Sequence, residues 1–315
     1  MSQIIKPILV TGAHRSGSTW VGRMLASAPK VGYIQEPLNL YHRPGVCNAP
    51  VNYWFPYISS ENGPLYYEDI RDTLNFRYKV GQELKAVRSL KDLLRAVRDY
   101  GNFNRYRASN SRPLMKDPLA IFSAEWLAST FDMDVVVLIR HPAAFAASIK
   151  AKNWTFTFSH ILEQTRLVEE HLYPFAAEIK AYTETEHDII DQACLLWNLI
   201  HLKISQYKDH QKNWVFKRHE DVSLDPLSEF QDIYKRLNLT FSKDVEDIIT
   251  AHSDSDNPVN ADKHDPFLFL RRHLKRDSKM NVFSWKTRLS EIEIGKIREK
   301  THEIAGTFYA ESEWV

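Results

Sequence analysis

The stretch "PILVTGAHRSGSTWVGRML", residues 7–25, combines a short apolar run, a loop bracketed by two glycines and a helical pattern. The run "ILVTG" is typical of a strand buried on both faces of a sheet. Helix formers follow over residues 18–28. The loop nearly matches the phosphate-binding pattern G-x-x-x-x-G-K-[ST], with Gly12 and Gly17 in place. The stretch therefore predicts a strand, a loop that binds an anion, and a helix.

Two residues of this loop depart from the phosphate-binding pattern. Ser18 stands where the pattern has lysine, and Arg15 lies inside the loop. The glycines allow the backbone N–H groups to converge on an anion, and the helix adds its positive dipole end. An arginine adds a bidentate cation. Further hydroxyl donors are available from Ser16, Ser18 and Thr19. We interpret the loop as an anion site rather than a plain strand-to-helix turn.

Strand and helix patterns alternate along the rest of the chain. Further strands are predicted at "VGYI" (31–34), "RPLMK" (112–116), "DVVVLI" (134–139) and "NWVFKR" (213–218). Helices are predicted near 65–75, 82–99, 120–131, 157–183, 187–208, 225–237 and 289–304. This alternation predicts an α/β fold with a central parallel sheet flanked by helices, and ligands at the carboxyl ends of the strands. Because we find no repeat or linker, we expect a single domain over residues 1–315 with helical insertions.

Composition limits the classes of protein that fit. The formal charge of +1 gives no global sign of a nucleic-acid-binding protein. Two cysteines, Cys47 and Cys194, cannot build a disulfide framework, which fits a reducing compartment. We find no stretch long enough to span a membrane, and the first strand leaves no room for a signal peptide. We therefore expect a cytoplasmic protein, with its oligomeric state left open.

The end of the strongest predicted strand argues against magnesium chemistry. A nucleoside-triphosphate enzyme commonly has an acid there as a metal ligand. In "VVVLIRHP" that position is Arg140, which cannot ligate a metal but suits a second phosphate. The site is thus predicted to hold a phosphate-rich ligand with cations and dipoles and without a metal.

These residues resemble the motifs of the PAPS-dependent sulfotransferase family, whose donor is 3′-phosphoadenosine 5′-phosphosulfate (PAPS) and whose nucleotide product is adenosine 3′,5′-bisphosphate (PAP). "AHRSGSTW" resembles the family's 5′-phosphosulfate loop, and "RHPAAFAAS" resembles its 3′-phosphate motif. The resemblance implies a P-loop-like fold. It assigns Arg15, Ser16, Gly17, Ser18 and Thr19 to the 5′ phosphate and sulfonate, Trp20 to adenine, and Arg140 and Ser148 to the 3′ phosphate.

Two later segments extend the resemblance to about residue 300. "KRHEDVSLDPLSEF" is similar to a family segment in which tyrosine is usual at the position of His219, which implies an adenine contact by His219. "FSWKTRLSEIEIGKI" is similar to a C-terminal element of bacterial and carbohydrate members. Family members close the nucleotide site with a basic C-terminal segment. Candidates for this closure are Arg271, Arg272, Lys279 and Lys286, and the sequence does not choose among them.

The general base cannot be the histidine that the cytosolic branch of the family uses. "MKDPLA" retains Lys116 but has Pro118 at the position of that histidine. "YIQEPLNL" resembles a segment of carbohydrate sulfotransferases whose glutamate is the base, which implies that Glu36 has this role. His42 is the alternative base. We expect Lys116, together with Arg15, to be a cation near the leaving oxygen or the sulfonate.

An aromatic run suggests the acceptor. "VNYWFPYI" (51–58) places several rings behind the Glu36 loop, and exposed rings stack on the faces of sugars. Together with the resemblance, this predicts transfer of a sulfonyl group from PAPS to a hydroxyl acceptor, a carbohydrate or glycan. Two alternatives stay open. One is a metal-assisted P-loop kinase, and the other is a catalytically silent protein of the same fold that binds a nucleotide or a glycan.

Overall fold

The computed structural model describes residues 6–253 and 282–314. The strands of this part of the chain are β1 (Ile8–Gly12), β2 (Val31–Gln35), β3 (Arg112–Lys116), β4 (Asp134–Ile139) and β5 (Val215–Arg218). They form one sheet in the order β2-β3-β1-β4-β5, and every neighbouring pair is parallel. The predicted α/β fold with a central parallel sheet is confirmed.

Helices connect these strands. In chain order, the α-helices of the described residues are α1 (Ser18–Leu25), α2 (Pro64–Leu74), α3 (Val80–Ala86), α4 (Leu90–Ala108), α5 (Ala124–Phe131), α6 (Pro142–Lys150), α7 (Ser159–Leu162), α8 (Thr165–His171), α9 (Ala176–Glu184), α10 (Ile189–His210), α11 (His219–Leu224), α12 (Pro226–Arg236), α13 (Lys243–Ser253), α14 (Trp285–Arg288) and α15 (Glu291–Ala305). Short 3₁₀ helices occur at Pro118–Ser123, Tyr173–Phe175 and Glu311–Trp314. Within residues 6–253 and 282–314, no helix has both the length and the apolar character that a bilayer crossing requires.

The single helix predicted over 157–183 is wrong, because the structure divides this stretch into α7, α8 and α9. Pro174, which lacks a backbone N–H group, lies between α8 and α9. At the break between α7 and α8, Gln164 Oε1 accepts a hydrogen bond from Tyr57 N at 2.6 Å. Residues 157–183 therefore form three short helices instead of one straight helix, and Gln164 joins them to the loop that contains Tyr57.

Both faces of the sheet are buried in apolar cores. Along β1, Leu9 packs into one core, whereas Ile8 and Val10 pack into the other. Helices α6, α10 and α15 cover the first face, and α1, α12 and α13 cover the second. A strand that is buried on both sides carries apolar residues without alternation, which explains the runs "ILV" and "VVVLI".

The carboxyl ends of all five strands meet at one edge of the sheet, as parallel pairing requires. Gly12 at the end of β1 pairs with Leu138 of β4. A Cβ atom on Gly12 would lie 2.2 Å from the Leu138 carbonyl oxygen, and φ of Gly12 is +130°. Only glycine fits this close approach, and it brings the loop after β1 beside the end of β4.

Candidate active site

A cavity of about 1230 Å³ opens at this edge of the sheet. Nine of the eleven residues predicted from the sequence line it: Arg15, Gly17, Ser18, Thr19, Trp20, Glu36, Arg140, Ser148 and His219. The other two, Ser16 and Lys116, have no exposed surface and lie beneath the cavity wall. Motifs that are far apart in sequence therefore meet around one space.

The loop between β1 and α1 has the geometry of an anion site. Arg15 and Gly17 have φ of +65° and +81°, in the left-handed region. Such turns allow successive backbone N–H groups to converge on one anion. Helix α1 begins after Gly17 without a capping side chain, so its N-terminal dipole end is not neutralised by a side-chain acceptor.

Arg140 joins the end of β4 to this loop. Its Nη1 atom contacts the backbone carbonyl oxygen of Arg15, and its own carbonyl oxygen accepts a hydrogen bond from Trp197 Nε1 at 2.8 Å. Burial lowers the pKa of Arg140 to about 10, which leaves the guanidinium charged at neutral pH. Across the cavity wall, Arg15 Nε donates to Ser148 Oγ at 3.0 Å. The two arginines and Ser148 thus form one continuous polar wall.

Several buried polar atoms of this wall have no hydrogen-bond partner among the described residues. Among them are Ser16 Oγ, Trp20 Nε1 and Arg140 Nε. Buried polar atoms are nearly always paired in folded proteins, because an unpaired group has lost its hydration. These three atoms are therefore available to hydrogen-bond a polar ligand or water.

Two aromatic side chains lie beside the loop between β1 and α1. The rings of Trp20 and His219 lie 6.4 Å apart and nearly perpendicular, and Trp20 also packs on Phe230 at 5.4 Å. Burial, together with the charge of Arg140, lowers the pKa of His219 to about 3. His219 is therefore a neutral aromatic group at physiological pH.

Glu36 carries the carboxylate of the cavity. The side chain is 26% exposed, and its two oxygens have different partners. Lys116 Nζ contacts Oε1, and Asn39 Nδ2 donates to Oε2 at 3.0 Å. Because β3 lies inside the sheet, the Lys116 side chain extends beneath the cavity wall to Glu36 and has no exposed surface.

Asp117 fixes the backbone around Glu36. Its carboxylate accepts hydrogen bonds from Leu38 N at 2.6 Å and from Leu119 N at 3.0 Å. Burial and the neighbouring charge of Glu36 raise the pKa of Asp117 to about 7. The alternative base, His42, is not among the residues that line the cavity, and its Nδ1 lies 2.8 Å from the Asn39 carbonyl oxygen.

Residues 7–243 match the family model described as Sulfotransferase family. The chain belongs to the sulfotransferase family. Comparison with curated protein sequences gave no significant match.

Solved structures with a similar fold are also sulfotransferases. The sulfotransferase domain from the curacin biosynthetic pathway is 16% identical, with 97% of this chain and 98% of that chain covered and a TM-score of 0.48. The sulfotransferase domain of the Synechococcus PCC 7002 olefin synthase is 16% identical, with 98% of both chains covered and a TM-score of 0.46. Mouse sulfotransferase SULT7A1, complexed with PAP, is 11% identical, with 98% of this chain and 87% of that chain covered and a TM-score of 0.42.

In this sulfotransferase, the aromatic run at 51–58 is divided between two cavities. Trp54 and Phe55 line the large cavity, whereas Tyr53 and Tyr57 line a separate one of about 240 Å³. Three further aromatic side chains that line the large cavity, Tyr41, Trp154 and Phe156, were not predicted from the sequence. One sequence feature could have indicated Trp154 as a cavity residue: it follows shortly after the helix that carries Ser148.

Among the described residues of the C-terminal segment, Arg288 is the basic residue that lines the cavity, and it was not predicted from the sequence. Trp285 stacks on His141 with ring centroids 5.2 Å apart and so holds α14 against the site. Arg288 has no acidic partner among the residues that the structure describes. Lys286 is not among the lining residues. The other candidates lie outside the described residues: Arg271, Arg272 and Lys279.

Proposed function

We propose that this sulfotransferase moves a sulfonyl group from PAPS to a hydroxyl group of a carbohydrate acceptor. The observation that carries the proposal is the polar wall of Arg15, Arg140 and Ser148, which faces the same cavity as the Glu36 carboxylate. Cations and hydroxyl groups suit a donor with phosphates at two positions, and a carboxylate suits removal of a hydroxyl proton.

The residues present fit PAPS. Arg140 and Ser148 would hold the 3′ phosphate, and the unpaired Arg140 Nε supports this assignment. The loop from Arg15 to Thr19 would hold the 5′ phosphate and sulfonate, for which the unpaired Ser16 Oγ is a donor. The neutral rings of Trp20 and His219 suit adenine. Arg288 is the described C-terminal cation best placed to close this side of the cavity.

When bound, PAPS supplies an activated sulfonyl group. Glu36 would accept the proton of the acceptor hydroxyl while a bond forms between the acceptor oxygen and sulfur, and the bond from sulfur to the 5′-phosphate oxygen breaks. Arg15 would stabilise the charge that develops on that leaving oxygen. We assign Lys116 to orienting Glu36, because its ammonium group contacts Oε1.

Aromatic rings on the cavity wall support a carbohydrate acceptor. Tyr41, Trp54 and Trp154 line the cavity, and the rings of Tyr41 and Trp54 lie 5.6 Å apart. Aromatic faces pack against sugar C–H groups, and polar side chains such as Asn39 and Gln192 also line the cavity. The proposed enzyme acts in the cytoplasm, consists of one domain over residues 1–315 and needs no metal, as expected from the sequence.

Calorimetry with PAP, with and without magnesium, tests the donor site. We expect binding without magnesium that Arg140→Ala weakens by tenfold or more, as loss of a charged hydrogen-bond donor to phosphate does (about 1.5–3 kcal/mol). An absolute magnesium requirement would point to the kinase alternative.

A transfer assay tests the reaction. With labelled PAPS and a panel of glycans, lipids and small alcohols, the wild type should sulfonate a glycan. Glu36→Gln should retain the affinity for PAP and lose transfer. Full activity of Glu36→Gln would refute the assignment of the base. PAP binding without transfer to any acceptor would favour the silent binding protein.

A further inference from the structure

Helix α4 presents an apolar face to solvent. Ala96 and Phe103 on one side of the helix are buried. Leu90, Leu94 and Val97, spaced by four and three residues, lie on the opposite side and are 73%, 63% and 62% exposed. An ordinary surface helix turns its apolar side toward the core and its polar side to water. In α4 the apolar stripe faces outward.

This stripe is part of a larger surface, which we call the α4 patch. It consists of Leu84, Leu90, Leu93, Leu94, Val97 and Tyr100, all of them exposed. Leu84 belongs to α3, which packs against α4. Single exposed leucines are common on proteins, but a contiguous apolar patch of this kind marks a surface that contacts something other than water.

Basic residues surround the α4 patch. Residues 84–107 contain seven basic and two acidic side chains, in a chain whose formal charge is +1. The basic residues are Lys85, Arg88, Lys91, Arg95, Arg98, Arg105 and Arg107, and all seven are exposed. Of the two acids, Asp99 accepts hydrogen bonds from Arg43 and Arg98 at 2.9 Å each, and Asp92 bonds to Ser89 at 2.7 Å. The surface of the patch is therefore positively charged.

The basic residues run alongside the apolar stripe. At about 100° per residue, Lys91, Arg98 and Arg105 lie in one row, seven residues apart, on the flank of the stripe. A helix with an apolar face and a basic flank is suited to the surface of a bilayer, where the leucines enter the acyl boundary and the basic groups meet anionic headgroups.

We propose that the α4 patch binds the surface of an anionic phospholipid membrane. Charge favours this occupant over a second copy of the chain, because two patches with the same positive surplus repel each other. A membrane also accounts for the exposed leucines, because a ligand bound by charge alone would not need apolar contacts. The geometry is that of a helix lying on the membrane plane, and it does not depend on the reaction proposed for the cavity.

Co-sedimentation with vesicles tests the proposal on the full chain. We expect binding to vesicles of equimolar phosphatidylcholine and phosphatidylglycerol at low salt, weaker binding at high salt, and little binding to phosphatidylcholine alone. Glu36→Gln should bind vesicles as the wild type does. No binding to the anionic vesicles at low salt would overturn the proposal.

Two double variants separate the contributions of charge and apolar contact. Arg95→Gln with Arg98→Gln should lower the partition coefficient about 25-fold, at about fivefold for each basic residue. Leu94→Ser with Val97→Ser should lower it by tenfold or more, since both side chains lose their burial in the acyl boundary (about 0.8 kcal/mol per CH₂). As matched controls, Lys180→Gln with Lys235→Gln and the exposed Ile292→Ser should leave binding unchanged.

Two results would assign the patch differently. If Leu94→Ser with Val97→Ser left vesicle binding unchanged, the attraction would be electrostatic alone and the proposal would be wrong. If sedimentation equilibrium showed a dimer that the same variant dissociates, the patch would belong to a second copy of the chain, and the lipid proposal would likewise be overturned. The side chains substituted in the two double variants and in their matched controls are all exposed, so we expect these variants to keep the thermal stability of the wild type.

Discussion

Arg15 Nε donates a hydrogen bond of 3.0 Å to Ser148 Oγ, which joins the loop after β1 to helix α6. The two residues are 133 positions apart in the chain. Arg140 contacts the carbonyl oxygen of the same Arg15 from the end of β4. The groups proposed for the two phosphate positions are therefore coupled, and a change at one should affect the other.

Ser148→Ala should weaken PAP binding about tenfold to a hundredfold, because the hydroxyl group is lost both to the 3′ phosphate and to Arg15. Calorimetry measures the dissociation constant. The control is Ser129→Ala, which replaces an exposed serine whose Oγ donates to the Trp126 carbonyl oxygen, and it should leave PAP affinity unchanged. Equal affinities of Ser148→Ala and the wild type would remove Ser148 from the nucleotide site.

Gly17→Ala should lower the free energy of unfolding by about 1–3 kcal/mol and weaken PAP binding. Its φ is +81°, and an added Cβ would lie 2.6 Å from His219 Nδ1. In contrast, Gly295→Ala inside α15 has nothing within 4 Å of the new Cβ and should raise the free energy of unfolding by about 0.5–1 kcal/mol. Urea denaturation compares the two variants. If both glycine variants were equally stable, the loop would not be constrained as described.

Much of the proposed nucleotide side of the cavity could be predicted from the sequence. Parallel strands place their carboxyl ends at one edge, so any residue just after a buried apolar run is expected there. From this rule, Arg140 and the loop around Arg15 are predicted at the same edge of the sheet, and no knowledge of their side-chain contacts is needed. The apolar runs that define the strands are local features, and the structure has strands at each of these runs.

The proposed acceptor side was harder to predict, because it depends on contacts between distant side chains. Lys116 pairs with Glu36 only because β2 and β3 are neighbours in the sheet, an order that the sequence does not state. The division of the aromatic run between two cavities depends on where Gln164 holds the loop backbone. Arg288 reaches the cavity because Trp285 stacks on His141, a contact between distant parts of the chain.

Lys116→Met should lower the rate of transfer by about tenfold to a hundredfold while PAP affinity stays within about twofold. In the structure the ammonium group contacts Glu36 and has no exposed surface, so its loss misplaces the carboxylate without removing a nucleotide contact. Methionine retains most of the buried volume next to Gly22. A parallel loss of PAP affinity would instead place Lys116 beside the leaving oxygen, as the sequence analysis had expected.

Four histidines, three of them buried and His14 partly buried, should make the protein sensitive to acid. Burial lowers the pKa of each to about 3, from an ordinary value of 6.5: His14, His141, His201 and His219. Between these two values the unfolded chain binds protons that the folded chain does not, so stability is lost as pH falls from 6.5 toward 3. Each histidine should contribute about 1.4 kcal/mol per pH unit to this loss.

His201→Phe isolates one of these contributions. The His201 ring has no exposed surface and stacks on Trp197 at 3.9 Å, so phenylalanine can keep the stack while it removes the titrating group. The slope of the unfolding free energy against pH, measured by urea denaturation near about pH 5, should decrease by about 1.4 kcal/mol per pH unit. The exposed His302, replaced by phenylalanine, should leave the slope unchanged. If the slope in His201→Phe equalled that of the wild type, the prediction would be wrong. His201 would then bind its proton equally well in the folded and unfolded states, which means that burial does not lower its pKa.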